Sequence, residues 1–241
     1  MNSESRNSES GGYGSRLKEM TAVLKKHGIT RGVTPEKLRL ILEDLGPTYI
    51  KLGQIMSLHS DILPKKYCEE LIHLHSEVTA MPFEQVKEVI EEAYGFGWDE
   101  VFADIEEEPL GSASIAQVHR AVLKSGEQVV VKVQRKGIYE IMARDIGLLH
   151  KAVKLVPSAT LKDMVDLDMV LDELWMVAQE EMNFLAEAAN MEEFAKKNQE
   201  IVFVETPRLY REYTTSHVLV MEYIDGFAVD DKKNLLENGY D

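Results

Sequence analysis

The chain has 241 residues, of which 44% are hydrophobic and 29% are charged, a composition typical of a globular protein with a sizeable core. Acidic residues outnumber basic ones by 42 to 27, so the formal net charge is −15. A surface with this charge does not suit a nucleic-acid backbone or an anionic membrane as a partner. The single cysteine, Cys68, excludes an internal disulfide and is typical of a reducing compartment.

The N-terminal segment, residues 1–15, is rich in Ser, Asn, Glu and Gly and cannot bury apolar surface, so we expect a disordered tail. It lacks the apolar core of a secretory signal, and no run in the chain approaches the roughly 20 apolar residues that span a bilayer. Residues 16–27 have an apolar stripe and predict an amphipathic helix. That helix either docks on the protein or lies on a membrane surface.

Helices are predicted next at residues 35–45 and from Pro47 onwards. The second of these carries Lys51 and Gln54, which are three residues apart and therefore share a face. The two side chains either face solvent or belong to a site. Gly53, which lies between them, permits the close approach of another element. Further helices, each with a proline at its start, are predicted at residues 64–78 and 81–94.

Residues 109–136 predict two strands around a loop, followed by a third strand at residues 129–133. The loop consists of Gly111, Ser112, Ala113, Ser114, Ile115 and Ala116. Its mostly small side chains let backbone amides approach an anion, as phosphate-binding loops do. Lys132 is the one charged residue among the valines of the third strand, and it either snorkels to solvent or meets an anion. Loop and lysine together indicate a nucleotide site.

The rest of the chain is predicted to be helical and then extended, with helices at 138–156 and 161–180 and strands at 201–204 and 218–221. Glu181 and Glu187 follow the second helix, and by themselves they are ordinary solvated members of an acidic helix. Glu222 lies in the segment 221–226. By itself that segment is a plain strand end before a glycine turn.

Three motifs in this order resemble the UbiB-type (AarF-like) atypical kinases. Residues 51–54, KLGQ, match the K-x-G-Q signature of that family. Residues 111–119, GSASIAQVH, are similar to the alanine-rich loop that the family has where ordinary protein kinases have a glycine-rich loop. Lys132 is similar to the strand lysine that holds nucleotide phosphates. The resemblance covers almost everything after residue 15.

The resemblance implies that the chain binds an adenine nucleotide, ATP or ADP. Lys132 would hold the α and β phosphates, Glu187 would orient Lys132, and the loop at 111–116 would cover the phosphates. Glu222 would lie in the segment 221–226, which would be the hinge that receives the adenine through backbone groups. These residues are the nucleotide-binding set that the resemblance implies.

The resemblance also implies a second set of residues that controls access to the cleft, namely Lys51, Gln54 and Glu181. In this pattern Glu181 pairs with Lys51, while the segment around Lys51 covers the place where a peptide substrate would lie. Sequence alone does not decide the pairing, because Glu181 and Glu187 are six residues apart and would point in different directions on one continuous helix.

The chain departs from the family and kinase patterns in several places. Asn183 stands where the family has the aspartate of E-x-D, and an amide is a weaker cation ligand than a carboxylate. The H-x-D spacing occurs at His59, upstream of the loop instead of after the hinge, and no D-F-G is present. We therefore expect no complete catalytic set and no metal site in the chain, with magnesium bound only together with a large lobe.

The predicted fold class is α+β: a kinase-like small lobe with a five-stranded antiparallel sheet and inserted helices, a helical N-terminal extension, and no large lobe. Residues 16–108 would form the extension with the K-x-G-Q motif, and residues 109–226 would form the small lobe. Residues 227–241 would start a truncated large lobe. A short chain of this kind would expose an apolar face toward the missing lobe.

By resemblance, the chain is a small-lobe fragment of an atypical kinase or ATPase that binds adenine nucleotide, supports quinone-lipid (ubiquinone-type) biosynthesis and is inactive alone. An alternative is a non-catalytic nucleotide-binding, regulatory or scaffold module. A third is a helical interaction protein in which the motifs are coincidences. The expected partners are the nucleotide, the large lobe and a quinone-lipid biosynthetic complex, with no nucleic acid. The expected location is cytoplasmic, with peripheral contact at a membrane left open.

Overall fold

The computed structural model describes residues 4–60, 63–74, 79–155, 167–227, 229 and 231–240. Its helices are α1 (Glu4–Lys26), α2 (Pro35–Leu45), α3 (Pro47–Ser57), α4 (Lys65–Leu71), α5 (Phe83–Tyr94), α6 (Ile138–Leu155), α7 (Leu167–Glu181), α8 (Phe184–Lys197) and α9 (Lys232–Glu237). Its strands are β1 (Phe102–Ile105), β2 (Gly111–Ser112), β3 (Ala116–Leu123), β4 (Gln128–Gln134) and β5 (Val218–Glu222). The chain is therefore a mixture of helices and strands, as the α+β prediction requires.

The strands form one antiparallel sheet in the order β1-β3-β4-β5, with the short strand β2 paired to β3. Successive side chains of a strand point to opposite faces. In β4, Val129 and Val131 are fully buried against α5, and Lys132 points to the other face. There Leu219, the register partner of Lys132 on β5, packs with Phe184 of α8. One face of the sheet is therefore a dry core under α5, and the other face presents the lysine toward α8.

The core under the sheet includes elements that lie before residue 109. Val86 and Ile90 of α5 are fully buried together with Phe102 of β1. The sheet unit therefore starts earlier than the expected boundary at residue 109. The pattern did not indicate β1 because its four residues have two exposed positions in the middle and no alternation of apolar and polar side chains. Long-range pairing with β3 makes this segment a strand.

The N-terminal helices α1 to α3 pack on the inserted helices α6 and α7. Tyr49 of α3 lies in an apolar cluster with Leu148 of α6. Arg16 of α1 donates to Asp145 of α6 through Nε (2.9 Å) and Nη2 (2.7 Å), and Nη2 also donates to the carbonyl oxygen of Leu45 (2.7 Å). Asp145 is fully buried, so this bidentate pair offsets the charge penalty of a carboxylate in the core. The extension is thus fastened to the helices that flank the sheet.

The start of α1 differs from the expectation of a disordered tail, because this helix begins at Glu4 and includes residues 4–15. Propagating an existing helix is far easier than nucleating one, and the packed turns around Arg16 and Met20 supply the nucleus. Composition alone cannot reveal this, since it describes the segment without the helix that follows it.

The strand predicted at residues 201–204 is absent from the structure. Val204 N–H donates to the Ile201 carbonyl in a tight turn (3.1 Å), and Phe203 is 91% exposed. The backbone beside β5 comes from a later segment, in which Leu209 forms an isolated bridge with Met221. β-branched residues favour extended structure only where a neighbouring strand offers pairing, and residues 201–204 have none.

The remaining helix predictions agree in type and differ at their ends. α4 ends at Leu71, whereas the predicted helix continued through residues 75–78, which lie outside the described residues. α7 begins at Leu167, and the predicted break after residue 156 also falls outside them. No helix in the described part of the chain is long and apolar enough to cross a membrane.

Gln117 and His119 of the GSASIAQVH segment form a buried polar network. His119 Nδ1 donates to the Glu106 carbonyl (2.7 Å), and Gln117 Nε2 donates to His119 Nε2 (2.8 Å), which fits a neutral imidazole. Gln117 Oε1 accepts the Met81 N–H (2.7 Å), so the network also fastens the segment before α5. Burial lowers the pKa of His119, although its bond to the Glu106 carbonyl opposes this effect.

We expect Gly53→Ala to destabilise the chain by about 1–3 kcal/mol, because overpacking a tight contact between helices has that cost. A Cβ at Gly53 would collide with Leu74 Cδ1 and would lie 2.7 Å from Leu42 Cδ1. A Cβ at Gly14, which also lies within a helix, would have nothing within 4 Å, so Gly14→Ala serves as the control. Helix propensity should make that control neutral or up to about 1 kcal/mol more stable. Urea denaturation would measure both, and equal effects would contradict close packing at Gly53.

We expect the chain to lose stability as the pH falls below about 6.5, in part through His119. Its pKa is lowered in the folded state, so this contribution is fully present above the unfolded-state pKa and is lost as the unfolded state takes up a proton. Urea denaturation between pH 8 and pH 5 would measure the free energy of unfolding, which should change by up to about 1.4 kcal/mol per pH unit. His119→Asn should be less stable at pH 8 and should have a shallower slope. Equal slopes in both proteins would exclude His119 as the source.

Candidate functional site

A cleft of about 890 Å³ opens on the α8 side of the sheet. Strand β4, the loop before β3, helices α7 and α8, and the segment before β5 form its walls. The lining residues are Ile115, Lys132, Val177, Glu180, Glu181, Ala186, Glu187, Asn190, Met191, Phe194, Thr206 and Pro207. The cleft therefore combines one lysine, three carboxylates and a partly apolar wall.

Lys132 and Glu187 form a bidentate ion pair inside this cleft. Lys132 Nζ donates to Glu187 Oε1 (2.9 Å) and Oε2 (2.7 Å). The same Nζ lies 4.9 Å from the ring centroid of Phe184, within the range of a cation–π contact. Both charged side chains remain partly exposed, at 23% and 37%, so a ligand in the cleft can reach them. The structure thus contains the lysine–glutamate pair that the family pattern assigns.

A helix break at Asn183 brings Glu181 and Glu187 to the same cleft. Glu181 is the last residue of α7, and Glu187 lies in the first turn of α8. Asn183 Oδ1 accepts the Leu185 N–H (3.1 Å) and caps α8. Because the helix is not continuous, the six-residue separation no longer directs the two carboxylates apart. The cap also gives Asn183 a local role that an aspartate would perform equally well.

Lys51 of α3 forms an ion pair with Glu181, which links the K-x-G-Q segment to the cleft wall. Gln54 lies on the same face of α3, and its carbonyl accepts the Ser57 hydroxyl (2.6 Å). Glu181 lines the cleft, whereas neither Lys51 nor Gln54 is among the described residues that line it. Among the described residues, the K-x-G-Q lysine is therefore connected to the cleft through its carboxylate partner, and access control by Lys51 and Gln54 stays a prediction.

The predicted loop, residues 111–116, contributes less to the cleft than expected. Of its six residues, Ile115 lines the cleft, and the other five are not among the described lining residues. Ala116 is buried against α8, and Ser114 is also buried. Arg135 holds the loop to the end of β4 through a bond from Nε to the Ala113 carbonyl (2.7 Å). The loop is thus folded onto the protein beside the cleft.

The Glu222 side chain lies on the opposite face of the sheet from Lys132, and binding of a base by the backbone of its segment stays a prediction. In the register of β4 and β5, Glu222 pairs with Val129, a residue of the opposite face. Its Oε2 accepts the Arg208 N–H (3.0 Å), and its own N–H donates to the Arg208 carbonyl (2.8 Å). The Tyr223 N–H donates to the Gln128 carbonyl (3.2 Å), so both amides at this point already have protein partners.

The apolar wall of the cleft was missed in the sequence, although a signal for it exists. Asn190, Met191 and Phe194 follow Glu187 at helical spacings of three, four and seven residues. Residues at these spacings lie on one face of a helix. Once Glu187 is placed in the cleft, periodicity therefore places the other three side chains beside it. Val177 on α7 adds to the same wall.

Carboxylates surround Lys132, but their arrangement is not that of a metal centre. Within the part of the chain that the structure describes, no group of three or more His, Cys, Asp or Glu side chains is placed to hold a metal ion. Glu187 is engaged with Lys132, and Glu181 with Lys51. Two of the three lining carboxylates are therefore committed to ion pairs, and Glu180 is the third.

The chain is similar in sequence to curated proteins that are named as kinases. A protein of Azotobacter vinelandii named "Probable protein kinase UbiB" is 38% identical over 209 residues, which cover 85% of this chain and 38% of the relative. The Arabidopsis thaliana protein "ACTIVITY OF BC1 COMPLEX KINASE 7, chloroplastic" is 34% identical over 219 residues, covering 90% of this chain and 31% of the relative. The chain thus spans less than half the length of these two curated relatives.

A solved structure and a family model extend the comparison. The structure of Rv3197 from Mycobacterium tuberculosis in complex with erythromycin superposes with a TM-score of 0.53 and 28% identity, covering 87% of this chain and 51% of that chain. The mixed helical and antiparallel-sheet fold and the UbiB-type resemblance are thereby confirmed. Residues 73–241 match the model of the ABC1 atypical kinase-like domain. The chain therefore belongs to the ABC1 atypical kinase-like family.

Proposed function

We propose that this chain forms the nucleotide-binding small lobe of an atypical kinase or ATPase and that an adenine nucleotide binds beside Lys132. The observation that carries the proposal is the bidentate pair of Lys132 and Glu187 in a cleft of about 890 Å³. In protein kinases a strand lysine held by a helix glutamate contacts the nucleotide phosphates. The cleft offers the same pair of groups on the same kinds of element, a central strand and the helix packed on it.

The cleft has one polar end and one apolar side, which suits a nucleotide. Lys132 provides the positive charge for phosphate, and Met191, Phe194 and Val177 provide apolar surface for a base. Two of the three lining carboxylates are already paired with lysines, so the repulsion of a polyanion is reduced. Magnesium bound to the phosphates would neutralise part of the remaining charge. The residues present therefore fit a nucleotide that carries its own cation.

For the whole protein we propose phosphoryl transfer or ATP hydrolysis in support of quinone-lipid biosynthesis. This part of the proposal is supported by the family and by relatives with the name UbiB. The sequence contains no D-F-G, and its H-x-D at His59 precedes the loop. We therefore expect the chain by itself to bind nucleotide without turning it over, which is also what a non-catalytic regulatory module would do. A cytoplasmic location with peripheral contact at a membrane remains a prediction.

A second candidate ligand is a large apolar molecule of the macrolide class. The apolar wall on α8 favours it, and so does the size of the cleft. Rv3197, a structural relative, was solved in complex with erythromycin. Competition separates the two ligands, because a macrolide in the same cleft would displace a nucleotide. Erythromycin that binds without displacing nucleotide would point to a different surface.

We expect Lys132→Ala to weaken ATP binding by about 10- to 100-fold, because a hydrogen bond to a charged group contributes about 1.5–3 kcal/mol. Isothermal titration with Mg-ATP would measure the dissociation constants. Lys136→Ala is a matched control, since Lys136 lies two residues after β4 and pairs with Glu88 and Glu92 outside the cleft. That control should stay within about twofold of wild type. A folded wild-type chain that binds no nucleotide, or a Lys132→Ala chain that binds equally well, would refute the proposal.

We expect Lys51→Ala to weaken ATP binding about threefold at low salt, because it leaves the Glu181 carboxylate uncompensated in the cleft wall. Adding Glu181→Gln to this variant should restore the affinity, and salt should reduce the difference. Titrations of the two single variants and the double variant form the required cycle. If Lys51→Ala bound ATP more tightly than wild type, Lys51 would instead act by obstructing the cleft.

A further inference from the structure

Arg135 joins the alanine-rich loop, the end of β4 and the segment before α5. Its Nε donates to the Ala113 carbonyl (2.7 Å), and its Nη2 donates to Ser112 Oγ (2.6 Å) and to the Thr79 carbonyl (2.8 Å). Its backbone N–H donates to the Ile115 carbonyl (2.9 Å). Four bonds from one residue therefore hold three positions of the loop and one position outside it.

The charge of Arg135 has no carboxylate partner in these contacts. The acceptors of its side chain are two backbone carbonyls and a hydroxyl, all of them neutral. Burial lowers the pKa of Arg135, and no anion among the described residues opposes that effect. Arg135 is only partly buried, so its guanidinium bears part of a desolvation cost that an uncharged side chain supporting the loop would avoid. An anion that binds beside the loop would offset this desolvation cost, because it would interact favourably with the guanidinium.

The position of Arg135 connects it to the cleft. Ile115, whose carbonyl accepts the Arg135 N–H, is the loop residue that lines the cleft next to Lys132. Arg135 directly follows β4, the strand that carries Lys132, so the same strand fixes where the chain reaches Arg135. A change in the Arg135 contacts therefore moves the loop relative to Lys132.

We propose that Arg135 is a positioning residue of the nucleotide site, which fixes the loop at 112–115 beside the phosphates and adds positive charge behind it. This inference rests on the proposed nucleotide function. It explains how a loop with alanine and serine in place of most glycines keeps a defined shape. The shape comes from a side chain outside the loop, and the loop does not depend on the backbone freedom of glycine.

The test compares Arg135→Lys with wild type and with Arg120→Lys, each chain being shown to be folded by circular dichroism. Lysine keeps the charge and cannot form the forked set of bonds. Arg120 is a matched control, since it lies on β3 of the same sheet and contacts Gln128 and Tyr223. Competition against a fluorescent ATP analogue would give affinities for ATP and for adenosine. Hydrogen exchange would report on the loop.

We expect Arg135→Lys to weaken ATP about tenfold through loss of several bonds to the loop, with adenosine changed less than about twofold. The hydrogen-exchange rate at residues 112–115 should rise while β3 and β5 stay protected. Arg120→Lys should leave all three readouts near wild type. An equal loss for ATP and adenosine would show a merely structural role and overturn the inference, as would unchanged ATP affinity in Arg135→Lys. A wild-type chain without ATP binding would instead refute the nucleotide function itself.

Discussion

The ion pair between Lys132 and Glu187 is the interaction on which the rest of the site depends. It forms only if β4 turns Lys132 away from the valine core and if α8 begins close to that face of the sheet. The second condition is met by Phe184, which is fully buried against the sheet, and by the Asn183 cap that starts the helix. The capped start of α8 and the alternation of side chains along β4 thus together place two opposite charges within hydrogen-bonding distance.

Two ion pairs, one buried and one partly exposed, connect the N-terminal extension to the helices beside the sheet. The deep contact is Arg16 with the fully buried Asp145, which fastens α1 to α6. The shallow contact is Lys51 with Glu181, at the wall of the cleft. Removing one partner of a buried pair leaves an uncompensated charge, whereas a partly exposed pair contributes little to stability. The first contact therefore fixes the arrangement of helices, and the second is free to respond to what occupies the cleft.

Those parts of the site that a local motif or periodicity determines could be predicted from the sequence. Lys132 stands out because it is charged within a valine strand, and Glu187 follows from the family pattern. Resemblance alone does not give the direction of the Glu222 side chain, because strand register determines it: its partner Val129 lies on the opposite face from Lys132. The strand β1 and the turn at 201–204 could not be predicted, since pairing across the sheet determines both.

The geometry of Lys132 also bears on how a phosphate would bind. An ammonium group has three donors, and the two oxygens of Glu187 occupy two of them. One donor remains for a phosphate oxygen, so the ion pair need not break when a ligand enters. Since Glu187 and the Phe184 ring already hold the Nζ in place, little side-chain entropy is left to lose on binding. Under the proposed function, the pair would serve as a preorganised phosphate contact more than as a source of stability for the fold.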